Sequence, residues 1–545
     1  MTRALSTWLA LAASGGAAVA ATDLPYAFLN VPYWLLLAGA CITLVPGGVV
    51  LAGARTPLVH GFHARWLLPC VLLAVLAVQI IAVAWWPNSG DEYGYTFLAR
   101  TLLHGRFYNP PPPLPELFRF NWIFVRDGKW FSQYPPGFPA LLAPFLAVGL
   151  PFILNPILTV LLAWLVNATL RAVGAGREAA SALACLIALS PFVLFNGASL
   201  YPHTLTAVAV TSIIQLQFGA EERPSIWPRL GMGAMFGVLL LTRYEVFAIV
   251  AALFVVDRCY KCRLAAIAEF LPMGLGGLPF ALFFLVYNNA ITGHMLLTPF
   301  SWASPGGGFG FHAMSDDGMN TPFVALRRTA EWTWELMAYS SAALVLLWAA
   351  AFATKLRHRR IRYFDLIFPA AIAFFFLFAH AGGHRFGPRY WFFAWPPTIV
   401  TIATALLTDD GWLRLRSWRL HAPTLAALHL PLYATFALGV ALYHGAYVSL
   451  RREAYAAQPP QLPAIVLIPT RLLPLVRWQT KPTAAGSADF ARNGVDIDAP
   501  LIYGRADNAT RDQPRFLAMA CSLRDRHVYV WRAPGALDAV DCNKK

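Results

Sequence analysis

The sequence predicts an all-α polytopic membrane protein of about thirteen transmembrane helices, followed by a small C-terminal domain of α/β or β-rich character. Three observations predict it. Apolar runs of membrane-spanning length recur from the first residues to about residue 447, in a chain of 545 residues that is 58% hydrophobic and only 13% charged. The runs lack two-residue alternation, and backbone groups in lipid must be satisfied within each segment, so helices are chosen over a closed barrel. The basic residues gather in short loops between the runs, where the positive-inside rule places them. The net charge of +15 therefore reads as topology and not as a nucleic-acid surface.

Six basic loops, 53–65, 171–178, 221–229, 257–263, 355–362 and 409–421, belong on the cytoplasmic side. At about 20 residues per crossing, the helices fall at about 6–22, 33–53, 65–86, 139–170, 179–198, 201–219, 263–287, 336–354, 363–380, 390–408 and 423–447. The run 229–256 begins and ends at basic loops, so it is expected to enter and return as two short helices broken at "TRYE", 242–245. The first run, "LSTWLALAASGGAAVAA", reads as a retained helix; the alternative is a cleaved signal peptide, since it follows an Arg and ends in small residues. Either way the other spans keep their sides. Three long segments then face the non-cytoplasmic side: 87–138, 288–335 and the tail from 448. The expected domains are a membrane domain, 1–447, and an exported soluble domain, 448–545.

The first of these segments carries Asp91 and Glu92 side by side in "WWPNSGDEYGYTFLARTLLHGRFY". Tyr95, Leu98 and Leu102 recur there at helical spacing, which predicts an amphipathic helix lying on the membrane surface. Ser89 and Glu92 fit a capping box, and Asp91 suits the first helical turn, a wholly structural account of the acids. The functional account is that ionisable groups at a membrane edge are candidate sites, and that a carboxylate there is able to take a proton from a hydroxyl or amine. Next comes "NPPPPLPELFRFNWIFVRDGKWFSQYPPGFP", where prolines exclude regular helix and Trp122, Trp130, Phe131 and Tyr134 supply interfacial aromatics. Arg119, Arg126 and Lys129 are its cations, open to phosphate or to ordinary headgroup contact.

These motifs have a familiar order. An apolar helix, "DEYGYTFLARTLLHGRF", "SQYPPGFPALLAPF", the broken pair "GVLLLTRYEVFAIVAAL", the helix exit "YNNAITGHMLLTPF" and a late "GPRYWFFAWPP" together resemble the integral-membrane glycosyltransferases of the C superfamily (GT-C), specifically the protein O-mannosyltransferase and lipid A aminoarabinose transferase group. The resemblance implies helices around a cavity open to the exported side. It implies transfer of a sugar, hexose or pentose, from a polyprenyl-phosphate carrier to a lipid, glycan or protein acceptor, at the exported face of a bacterial inner membrane. Asp91 matches the family's acidic residue and is implied as general base. Glu92 is implied as its orienting partner, or as a second oxygen ligand for a divalent metal, which stays open.

A leaving phosphate needs fixed cations. The candidates are Arg243 in the helical break, where unwound backbone lines a cavity, and His384, Arg385 and Arg389 in "AHAGGHRFGPRY", with His384 and His203 the weaker ones. Their ordinary alternatives are a pair with Glu245 for Arg243, snorkelling to headgroups for Arg389 and structural hydrogen bonds for the histidines. The aminoarabinose group carries a Lys before its paired prolines, whereas Gln133 and Tyr134 stand here. Any phosphate contact at that place then passes to Arg119, Arg126 or Lys129.

In the tail, "PAIVLIPT", "PLIYGRAD" and "RHVYVWRAP" read as short strands, and its only cysteines, Cys521 and Cys542, are expected to pair in an oxidising compartment. Cys259 and Cys262 form C-x-x-C without the further ligands of a zinc site, and no P-loop or dinucleotide fingerprint occurs. A multi-pass lipid or solute transporter is the alternative class. It calls for coupling residues near the bilayer midplane and often an internal repeat, whereas the acids cluster at the exported edge and no clear repeat is found.

Overall fold

The computed structural model describes residues 38–41, 43, 61–87, 89–118, 120, 122–222, 225–303, 308–314, 318–379, 383–415, 418–456, 458–469, 493–506, 513–533 and 536–543. The expected helix 6–22, most of 33–53, and Arg119 lie outside the described residues. The chain is a mostly helical integral membrane protein. Among the described residues, five helices are long and apolar enough to cross a membrane: Ala64–Val83, Pro151–Ala172, Tyr244–Thr292, Pro322–Arg357 and Ala422–Ala446. Gly137–Ala147, Ile226–Thr242 and Tyr363–Leu377 are shorter apolar helices. The total of about thirteen crossings rests on loop charge alone. The chain divides into two compact units.

The first unit comprises Met1–Val78, Asn155–Phe284 and Ser304–Val440. Its helix breaks have local causes. The single helix expected at 179–198 is two, Arg177–Ala188 and Pro191–Ala198, bent by 60°. Ser190 caps the second by accepting the Val193 N–H, and Pro191 opens it, so the chain restarts rather than continues. The break expected within 242–245 falls on Arg243, extended at φ −150° and ψ 104° between Ile226–Thr242 and Tyr244–Cys262. A π-helical turn at Met337–Ser341 interrupts the long Pro322–Arg357 span.

Two helices of this unit touch through their backbones. A Cβ added to Gly233 of Ile226–Thr242 would lie 1.9 Å from the Met273 carbonyl oxygen, and one on Gly276 of Ala266–Thr292 would lie 2.1 Å from that of Leu230. Small residues are what allow membrane helices to approach this closely. Gly233→Val is therefore expected to force the pair apart and destabilise the protein by about 1–3 kcal/mol, read as a lower unfolding midpoint in detergent. A wild-type midpoint would contradict this contact.

The second unit comprises Gln79–Leu154, Leu285–Ala303 and Ala441–Lys545. Helix Gly90–Leu103 starts at its N-cap Ser89. Glu92 through Ala99 are all buried, so it is a core helix and not the amphipathic surface helix expected. The reason is that its apolar residues point all round: Tyr93 and Phe97 enter one hydrophobic core, Leu98 another with Phe131, Tyr287 and Ile291. The proline-rich stretch, for which only regular helix was excluded, contains an antiparallel ribbon, Ile123–Arg126 with Lys129–Ser132. Asp127 and Gly128 turn it with φ of 49° and 72°, and Asp-Gly is the pair that favours such two-residue hairpins.

The tail contains a four-stranded sheet in the order Ala536–Ala539, His527–Ala533, Ala464–Pro469, Leu501–Ala506. The first pair is antiparallel and the other two are parallel. Helix Gln513–Cys521 lies in the connection from Leu501–Ala506 to His527–Ala533, as a parallel arrangement requires. Cys521 and Cys542 form a disulfide, with Cα atoms 5.4 Å apart. The sheet's apolar face shares one core with Trp86, Tyr93, Phe97, Phe118, Phe120 and Trp130. The tail from Ala441 thus belongs to the same compact unit as 79–154.

Candidate active site

Asp91 is the second residue of the Gly90–Leu103 helix and is half-buried. The helix N-terminus favours a negative charge there. The Tyr134 hydroxyl donates to Asp91 Oδ1. Tyr134 is itself held on three sides. Its ring lies against Gly94, where a Cβ would meet ring carbons at 2.7 and 2.9 Å. It packs on Tyr95 with ring centroids 4.2 Å apart, and its carbonyl accepts the Tyr287 hydroxyl at 3.0 Å. Glu92 has the capping role: its N–H donates to Ser89 Oγ at 3.3 Å, and Ser89 Oγ donates back to Glu92 Oε2 at 3.4 Å. The adjacent acids therefore occupy different environments, Glu92 fully buried against the cap and Asp91 turned to Tyr134. Burial pushes the neighbouring Tyr93 phenol up, against the opposing charge of Arg100, so it stays protonated.

The cations of the ribbon are engaged with backbone. Lys129 Nζ donates to the carbonyls of Ala290 and Ile291 at 2.8 and 2.9 Å, near the C-terminus of the Ala266–Thr292 helix, where a cation is favoured. Arg126 Nη1 donates to the Trp302 carbonyl at 2.6 Å, and its guanidinium lies 4.6 Å over that indole. Among the described residues no three His, Cys, Asp or Glu side chains are grouped to hold a metal ion.

In the other unit the structure brings Arg243 and Arg389 together. Arg243 pairs with Glu245, donates to His203 Nδ1 at 2.7 Å, and lies 4.9 Å over the Tyr390 ring. Arg389 lies 4.5 Å over Tyr201 and 5.5 Å over Tyr390. Both guanidinium groups thus lie over aromatic rings, whose faces attract a cation. Gly387 makes the turn before Arg389, at φ 89°, and its carbonyl accepts the Arg389 N–H at 2.8 Å.

His384 takes a structural position. Trp332 Nε1 donates to its Nε2 at 3.2 Å, which leaves Nδ1–H to donate to Glu335 Oε1 at 2.8 Å. Arg385 follows in the turn and is half-buried. Sequence reasoning missed Arg328, Glu331 and Glu335, which were counted within an exported loop. Arg328 is buried and donates to the carbonyls of Phe375 and Phe378, both at 2.9 Å, at the end of Tyr363–Leu377. The i, i+4 spacing of Glu331 and Glu335, with Trp332 and Trp334 between them, was the available signal.

At the level of architecture this is the GT-C membrane fold, as the motif order implies. Among solved structures, ArnT from Cupriavidus metallidurans bound to undecaprenyl phosphate is similar with a TM-score of 0.50 at 12% identity, over 86% of this chain and 92% of that one. Its apo state gives 0.49 at 13% identity over the same shares, 86% and 92%. The oligosaccharyltransferase AglB from Archaeoglobus fulgidus, in complex with an inhibitory peptide and a dolichol-phosphate, gives 0.42 at 12% identity over 85% and 69%. No family model and no curated protein matches the chain.

Proposed function

We propose that this chain is a glycosyltransferase that moves a sugar from a polyprenyl-phosphate carrier to a lipid, glycan or protein acceptor on the non-cytoplasmic face of the membrane. The observation that carries the reading is Asp91, a half-buried carboxylate at the start of a buried helix and bonded by the Tyr134 hydroxyl, in a fold shared with a protein that binds undecaprenyl phosphate. Asp91 accepts the proton of the acceptor hydroxyl or amine as that atom attacks the anomeric carbon. The bond from that carbon to the phosphate oxygen breaks, and the carrier phosphate leaves with the electron pair. On the motif resemblance, Arg243 and Arg389 are the cations proposed for a phosphate; within their own unit both guanidinium groups lie over aromatic rings. The Cys521–Cys542 disulfide supports placing the tail in an oxidising compartment, which for a bacterial inner membrane is the exported side.

The test is sugar transfer by purified protein in lipid, offered a panel of polyprenyl-phosphate sugars and membrane-extract acceptors. Release of the carrier phosphate with labelled product is expected. Folded protein that releases sugar from no donor overturns the reading in favour of a transporter. Tyr134→Phe removes one hydrogen bond to an ionised group while keeping the ring on Gly94. It is expected to lower turnover by about tenfold or somewhat more; turnover equal to wild type would show that the hydroxyl does not serve the reaction.

A further inference from the structure

We infer that the C-terminal sheet is a positioning scaffold for the helix that carries Asp91, rather than an appended domain. The inference rests on the glycosyltransferase reading for its kinetic consequence but not for its structural one.

The helix Gly90–Leu103 is gripped from the tail at its far end. Arg100 Nη1 donates to the Asn493 carbonyl at 2.9 Å. Asn493 is pinned in turn to the strand Leu501–Ala506: its Nδ2 donates to the Tyr503 carbonyl at 2.6 Å, and its Oδ1 accepts the Tyr503 N–H at 2.7 Å. Just past the helix, Arg106 Nη2 donates to Asp496 Oδ1 at 2.7 Å, and His104 Nε2 lies 3.3 Å from the other oxygen of the same carboxylate. The same strand reaches the following segment through the Arg505 N–H, which donates to the Leu117 carbonyl at 2.7 Å. Beneath these bonds Tyr93 and Phe97 are part of the core formed by Ile465, Val466, Val528 and Trp531.

A helix transmits such a grip along its length. Asp91 and Arg100 are nine residues apart, about 13 Å of rigid rod at 1.5 Å per residue. A small tilt at Arg100 therefore displaces Asp91. Misplacing a reacting group by about 1 Å is enough to cost about 10²-fold in rate. Exposed ion pairs are individually weak; the grip comes from combining buried apolar contact with backbone carbonyls that cannot move independently of the sheet.

The experiment uses the full-length protein in lipid with three variants: Arg100→Met, which keeps the stem and removes the donor; Arg100→Lys, which keeps a donor; and Asp496→Asn at the exposed edge. Amide hydrogen exchange over 90–103 and transfer kinetics are measured on each. Expected is faster exchange in Arg100→Met and Asp496→Asn, with kcat down at least fivefold in Arg100→Met, KM for the donor unchanged, and substantial recovery in Arg100→Lys. Unchanged exchange in both Arg100→Met and Asp496→Asn overturns the scaffold. Faster exchange with wild-type kcat overturns its role in positioning Asp91 and leaves the tail as a cover. If wild type transfers no sugar, it is the glycosyltransferase reading that fails, while the exchange data still decide whether the sheet holds the helix.

Discussion

Replacing Asp91 by Asn is expected to lower sugar transfer by about 10²- to 10⁴-fold while the protein still folds. The amide is the same size, and its oxygen still accepts the Tyr134 hydroxyl that bonds the carboxylate. Helix Gly90–Leu103 keeps its Ser89 cap, and its burial lies in Glu92 to Ala99 rather than in the half-buried Asp91. On the proposed function, what disappears is the ability to take a proton from the acceptor. Loss of the negative charge at the helix start costs only about 0.3–1 kcal/mol, too little to unfold the protein. The measurement is turnover of a polyprenyl-phosphate sugar beside a thermal unfolding curve. Wild-type turnover in a folded Asn variant would remove Asp91 from the role of base.

Asp365→Ala is expected to have the largest effect on stability, about 3–5 kcal/mol. Lys355 Nζ and Asp365 Oδ1 lie 2.7 Å apart with side-chain exposures of 6% and 0%. Lys355 also donates to Thr404 Oγ1 at 3.0 Å, and Asp365 Oδ2 accepts the Arg362 N–H at 2.8 Å, so the ion pair, and not the carboxylate alone, ties three helices together. Removing it leaves a buried ammonium without its counter-charge and an uncapped helix start at Tyr363–Leu377. A double variant, Lys355→Met with Asp365→Leu, is expected to recover most of the loss, because it removes both charges together. Unfolding midpoints in detergent check both; a double variant as unstable as the single one would show that the charge imbalance is not the cause.

Much of the architecture was legible because it depends on signals within a few residues. Apolar length announces helices, and the charged interruption at Arg243 announced the break between Ile226–Thr242 and Tyr244–Cys262. Short runs rich in β-branched and aromatic residues, separated by Gly, Pro and Asn, announced the strands Ala464–Pro469, Leu501–Ala506 and His527–Ala533. The Asp127-Gly128 turn was equally local, yet the surrounding prolines masked it. The bend at Ser190-Pro191 was also legible in principle, as a cap followed by a helix-starting proline.

Candidate residues for the proposed site were legible one by one, and their arrangement was not. Loop charge assigned Lys355 to a cytoplasmic loop, but whether a cation at a helix end faces water or a buried carboxylate depends on which helix packs beside it. The same holds for Lys129 and Arg126, which were candidate phosphate ligands by charge and donate to carbonyls far along the chain. Residue type and spacing determine that a group is charged and which face of an element it occupies; they carry no record of the opposing face.

By itself, then, the sequence determined a helical membrane protein with an acid pair at the start of a helix, broken apolar runs and a strand-rich tail, because hydrophobic period, capping and turn chemistry act locally. Only the tertiary structure decided that Asp91 meets the hydroxyl of Tyr134, that Arg243 and Arg389 share Tyr390, and that the tail's sheet grips the Asp91 helix through Asn493. Those pairings join residues that are distant along the chain, and they exist because packing the apolar faces brings particular polar groups within hydrogen-bonding reach.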